Sequence, residues 1–272
     1  MKRTPPEWTS RLLSCLRVVV GFMFIQHGTE KLWAFPSGRV DHNFMTLRGI
    51  AGPIEVIGGL LMILGLFTRP TAFILCGEMA VAYFNTWAPR GFWPINNGGE
   101  GSVLYCFTFL WLTVAGAGAW SLDHLRREGR QMVVIASWES VTRSILRIVL
   151  SFVFSLHGYR ALFGFFPAPA RARIARLAMD ALPPAIGYFE IAAGALLMLG
   201  LFTEPMALLV AIEAVAAYLY AAAPKGFWTL RNGGEEAMIY FLVFLYIAST
   251  GPGLWSLDRL RQIRKRPQSP GY

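Results

Sequence analysis

The sequence predicts an all-α, polytopic membrane protein with eight transmembrane helices arranged as two parallel four-helix bundles. Three observations predict it. Only 15% of the 272 residues are charged, 55% are hydrophobic and the mean hydropathy is +0.46, whereas a soluble domain carries about 25% charged residues to coat its surface. Residues 50–123 align without a gap on 185–258, with 32 of 74 positions identical, so the second half repeats the first. Each half holds four apolar runs, all but the last of the eight having 17 to 19 residues and the last 15, read as helices that cross a hydrocarbon core of about 30 Å.

The first copy, residues 1–128, has runs at Leu12 to Gly28, Ile50 to Phe67, Pro70 to Ala88 and Gly101 to Ala119. No small-x-small cleavage site follows the first run, which therefore reads as a retained helix and not a signal peptide. The second copy, residues 129–272, has runs at Ile145 to Phe163, Ala185 to Phe202, Pro205 to Ala223 and Ala237 to Gly251. Thr68 to Pro70 and Thr203 to Pro205 are corners so short that the second and third helices must be antiparallel neighbours, with Pro in a first turn where its missing N–H costs nothing. An even number of helices per copy makes the copies parallel. The loop between the fifth and sixth runs sets Arg171, Arg173 and Arg176 among apolar residues, as in a short surface-lying helix.

The net charge is +9. In a polytopic chain such an excess sets topology and meets anionic lipid headgroups, so it argues neither for nucleic acid as a partner nor for a soluble enzyme. Counting Arg160 at the end of the fifth run with the loop that follows it, 13 Lys and Arg lie on the side of the termini and 10 on the other, which predicts cytoplasmic termini in a cell inner membrane. Cys15, Cys76 and Cys106 form no CxxC and face Ile145, Ala211 and Phe241 in the repeat. They read as small apolar packing residues with no thiol chemistry common to both copies.

Ionisable residues inside a span need a partner or a task. Counted by depth, Arg17 and Glu78 fall within a turn of each other, as do Arg147 and Glu213, and each pair is expected to form a structural ion pair; the alternative for the two carboxylates is a proton relay. Nearer the opposite face, His27 and Glu55, with His157 and Glu190 in the second copy, collect near the Asn-Gly-Gly-Glu strings Asn97 to Glu100 and Asn232 to Glu235. His, carboxylates and an amide together can hydrogen-bond a quinone headgroup and exchange its protons. The same strings can serve simply as tight turns, with Glu100 and Glu235 at helix N-termini. No metal site is expected, and a haem would have to be held by His27 and His157 across the copies.

Arg17 with His27-Gly28, Gly52 with Glu55, Leu64 to Pro70, Glu78 with Ala82-Tyr83, Gly91-Phe92-Trp93, Asn97 to Glu100 and Trp120 to Asp123 together resemble the DoxX family of four-helix membrane proteins, twice over. Relatives in that family include DoxD-type membrane subunits of thiosulfate:quinone oxidoreductase, and some members are linked to membrane oxidoreductase complexes or thiol stress. The resemblance implies the membrane subunit of a quinone-linked redox system: His27 and Glu55 handle protons, Lys31 and the Asn-Gly-Gly-Glu turns shape the site mouth, and a partner subunit supplies electrons, since no flavin, haem or iron–sulfur motif is present. A non-enzymatic scaffold or assembly factor is the rival expectation, and a small-molecule transporter the third. The second copy departs from the pattern at Ala161, which replaces Lys31, and at Glu204, which replaces Arg69.

Overall fold

The computed structural model describes residues 7–36, 38, 40, 43–126, 136–166 and 184–264. Among them there is no strand. The first copy comprises α1 (Glu7–Trp33), α2 (Leu47–Leu64), α3 (Thr68–Ala82), the single turn α4 (Pro94–Asn97), α5 (Glu100–Ala115) and the short α6 (Leu122–Leu125). The second repeats this order as α7 (Ala136–Phe163), α8 (Pro184–Leu199), α9 (Thr203–Ala217), α10 (Thr229–Asn232), α11 (Glu235–Thr250) and α12 (Leu257–Arg264). A π-turn extends α3 over Tyr83–Trp87 and α9 over Tyr218–Ala222. The surface helix expected around Arg171, Arg173 and Arg176 lies outside the described residues.

The eight apolar runs each become a helix, but four segments combine the length and hydropathy of a membrane crossing: Glu7–Trp33, Leu47–Leu64, Trp138–Phe163 and Thr203–Lys225. Glu100–Ala115 and Pro184–Leu199 are apolar and shorter. Sixteen residues rise only about 24 Å, under the ~30 Å of a hydrocarbon core. The fourth run of the first copy ends early at Gly116, as that of the second stops at Gly251, because both glycines take positive φ and end the helix.

The two copies are not separate bundles. Leu16, Val20 and Phe24 of α1, Phe109 and Leu112 of α5, Leu150 and Phe154 of α7, and Phe244 and Ile247 of α11 belong to one continuous core. Within a copy, α1 lies on α2 and α3 on α5; between copies, α1 meets α11 and α7 meets α5. The α1–α2 approach is close enough that a Cβ at Gly28 would stand 2.7 Å from the Gly52 carbonyl oxygen, the small-residue packing that bilayer helices use.

The buried arginines do not pair with Glu78 and Glu213. Arg17 donates from Nε to the Ala117 carbonyl at 2.8 Å and from Nη1 to that of Ile63 at 2.9 Å, and also reaches the carbonyls of Met62 and Trp120. Arg147 repeats this on Pro252, Leu197, Met198 and Trp255. Each guanidinium therefore satisfies orphan carbonyls at the C-terminus of α2 or α8, where the helix dipole favours a cation. The clamp predicted from depth fails because Arg17 sits level with the α2–α3 corner, whereas Glu78 lies ten residues into α3, about 15 Å further along.

The same corner accounts for two recurring strings. Asp123 accepts from the backbone N–H groups of Phe67 and Thr68 at 2.9 and 2.8 Å, and Asp258 from those of Phe202 and Thr203 at 3.0 and 2.8 Å. Each aspartate thus caps the helix that follows the Leu-Gly-Leu-Phe-Thr corner. Phe67 and Phe202 are held there in the left-handed region at φ 50°.

Candidate functional site

Both copies bring their histidine to the end of a long helix and their Asn-Gly-Gly-Glu glutamate to the start of another, but the partners are exchanged. His27, on α1, meets Glu235 at the start of α11, with Nε2 3.0 Å from each carboxylate oxygen. His157, on α7, meets Glu100 at the start of α5, with Nε2 2.7 Å from Oε1. A tyrosine completes each group: Tyr105 donates to Glu235 at 3.0 Å and Tyr240 to Glu100 at 2.9 Å. Each cluster therefore takes its histidine and tyrosine from one copy and its carboxylate from the other. His27 stands edge-on to Tyr105 at 5.8 Å, and His157 to Tyr240 at 6.2 Å.

This corrects the expected His27–Glu55 and His157–Glu190 pairs. Glu55 is 2% exposed and is paired to Lys31, whose Nζ stands 2.7 and 2.5 Å from its two oxygens and also donates to the His27 carbonyl at 3.3 Å. Lys31 is four residues beyond His27, one turn along the same face of α1, and its ammonium links the His27 backbone to Glu55 on α2. The second copy has Ala161 at that position, and among the described residues Glu190 makes no hydrogen bond or ion pair although it is buried. Arg160 there donates to the Phe166 carbonyl at 2.9 Å and reaches the Ile95 carbonyl of the first copy.

Asn97 and Asn232 are occupied by their own loops. Asn97 donates to the Gly91 carbonyl at 2.8 Å and accepts from the Gly99 N–H at 2.7 Å; Asn232 does the same with Gly226 at 2.7 Å and Gly234 at 2.8 Å. The amides fasten the Gly-Phe-Trp loop to the turn that positions Glu100 and Glu235, so only the glutamates of each string enter a cluster. Among the described residues, both oxygens of Glu78 are buried with no hydrogen-bond partner, and the charged groups around it are Glu55, Lys31 and His27. Glu78 thus belongs to the same neighbourhood as the first cluster.

Sequence reasoning missed Tyr105 and Tyr240, although the repeat alignment superposes them and they lie five residues after the glutamates. It also missed that Cys76 on α3 and Cys106 on α5 stand with their sulfurs 3.7 Å apart, both as free thiols. Thirty residues separate them in the chain, and only the packing of α3 on α5 joins them. Among the described residues no group of three His, Cys, Asp or Glu is placed to hold a metal ion, and both histidines expected for a haem have Nε2 engaged by a carboxylate. A half-open cleft of about 190 Å³ lies at the other end of the first copy, beside Ser10, Leu13, Gly118 and His124, away from both clusters.

A profile of the DoxX family matches residues 12–87 and 142–223, one segment in each copy. An uncharacterised protein of Haemophilus influenzae is 48% identical over 118 residues, covering 41% of this chain and 88% of that relative. An uncharacterised membrane protein of Mycobacterium tuberculosis is 28% identical over 127 residues, covering 40% of this chain and 77% of its own length. No solved structure matches.

Proposed function

The chain belongs to the DoxX family as a tandem duplicate of its unit, and from that premise we propose that it is the inner-membrane subunit of a quinone-linked redox system. All eight long helices cross the bilayer in this reading, the 16-residue ones by local thinning and flanking residues. Both termini are cytoplasmic, and a redox partner subunit docks on the assembly.

The observation that carries the reading is the pair of exchanged clusters, His27–Glu235–Tyr105 and His157–Glu100–Tyr240. A quinone headgroup needs a donor at each carbonyl and a route for protons. A histidine and a phenol converging on one carboxylate supply two donors and an acceptor in a water-poor setting. In the first copy, the Lys31–Glu55 pair and Glu78 extend the cluster towards α2 and α3.

A quinone-analogue titration tests it. His27→Ala and Glu235→Gln are expected to weaken binding at least tenfold while leaving the helical content unchanged. Glu55→Gln is expected to weaken it more than Glu190→Gln, because only Glu55 is tied to a cluster through Lys31. A wild-type protein that binds no analogue up to ~1 mM, a binding free energy of only about 4 kcal/mol, would remove the substrate from this reading. The scaffold reading has its own observation in its favour: each carboxylate is already paired across the copies, as a bundle fastener would be. On that reading the same variants lower the melting temperature and change no ligand affinity.

A further inference from the structure

We propose that Cys76 and Cys106 form a two-electron dithiol site that reduces a membrane quinone, closing to a disulfide between α3 and α5; the choice of oxidant rests on the quinone reading above. The sulfurs are 3.7 Å apart, so a side-chain rotation and a shift of about 1.7 Å bring them to the ~2.05 Å of an S–S bond. Cys76 is eight residues into α3, about 12 Å from its start, and Cys106 six residues into the antiparallel α5, about 9 Å from its own. Both thiols are therefore at mid-depth.

Each thiol is half-buried at the edge of the core. The surface beside Cys76 is apolar and open, with Phe73 65% and Ile74 57% exposed, so the pair faces hydrocarbon, the phase in which quinones dissolve. Cys106 directly follows Tyr105, whose hydroxyl binds Glu235, which places the pair one helix face away from the first cluster. The second copy builds the same α9–α11 contact with Ala211 and Phe241. Two thiols in van der Waals contact are thus not something the fold requires.

The step balances without a further reactant. Both S–H bonds break and one S–S bond forms; two electrons and two protons pass to the two carbonyl oxygens of the quinone, giving a hydroquinone. The thiols are oxidised and the quinone is reduced. An added dithiol restores the reduced pair by thiol–disulfide exchange.

The test uses the full chain in lipid nanodiscs, reduced and kept anaerobic, with decyl-ubiquinone as the probe. Quinol is read optically, and free thiols by maleimide mass tagging after denaturation. The wild type is expected to release one quinol per chain and to lose two of its three tags, with Cys15 still labelled and a Cys76–Cys106 linked peptide present in the digest. Cys76→Ala, which copies the second repeat, and Cys106→Ser should bind the quinone as the wild type does and release no quinol. If the wild type binds decyl-ubiquinone but keeps all three thiols, or loses Cys15 instead, the dithiol proposal is overturned and the quinone reading stands. If no decyl-ubiquinone binds, the quinone reading fails and takes the proposal with it.

Discussion

Arg17 and Glu78 carry opposite charges inside the same copy, yet only the arginine has hydrogen-bond partners among the described residues. The arginine ends on backbone carbonyls, which a sequence does not display, and this is why a pairing inferred from depth alone went astray. The two residues should therefore respond differently to substitution. Arg17→Leu removes a buried cation from four carbonyls and is expected to cost about 3 kcal/mol or more, since charged hydrogen bonds contribute about 1.5 to 3 kcal/mol each before the stranded acceptors are counted. Glu78→Gln keeps the volume, removes a costly charge and should leave the melting temperature level or raise it. A double-mutant cycle in detergent, read by thermal melts, should show additivity; a coupling above about 1 kcal/mol would restore the ion pair.

At the level of elements, most of the architecture was legible. The apolar runs located the long helices, the Thr-Arg-Pro and Thr-Glu-Pro corners made neighbours of α2 with α3 and α8 with α9, and the repeat forecast that the arginine, histidine and Asn-Gly-Gly-Glu positions of one copy recur in the other. Identity of partner was not legible, because a glutamate five residues before a tyrosine has the same spacing whether it serves its own copy or the other. Lys31 with Glu55 was half visible: both were singled out, but for different tasks. The Trp-Ser-Leu-Asp string carried no assigned role, and its aspartates prove to be helix caps. Asp123→Ala should thus destabilise by about 2 kcal/mol, at the upper end of capping losses, and Asp258→Ala by a similar amount. Hydrogen exchange should localise the effect to the amides of residues 67–71 or 202–206; protection lost uniformly along the chain would argue against a capping role.

For the whole molecule, the exchanged clusters make each half dependent on the other. Residues 1–128 alone leave His27 and Tyr105 without Glu235, and Glu100 without His157 and Tyr240. The two-fold relation between copies nevertheless offers a substitute, because Glu100 of a second identical half can take the place of Glu235. The isolated half is expected to run as a homodimer in mild detergent, and Glu100→Gln in that half to shift it towards monomer on size-exclusion chromatography with light scattering. A stable monomer with unshifted His27 resonances would show that the cross-copy bonds are incidental.

Joining the two units in one chain also changes what substitution can achieve. A symmetric dimer receives every amino-acid change twice, so a residue useful at one site is imposed on both. Here Lys31 stands opposite Ala161, and Cys76 and Cys106 stand opposite Ala211 and Phe241. The covalent link has released the halves from identity: one can keep a charged, thiol-bearing face while the other becomes its apolar counterpart, within an interlock that still needs both.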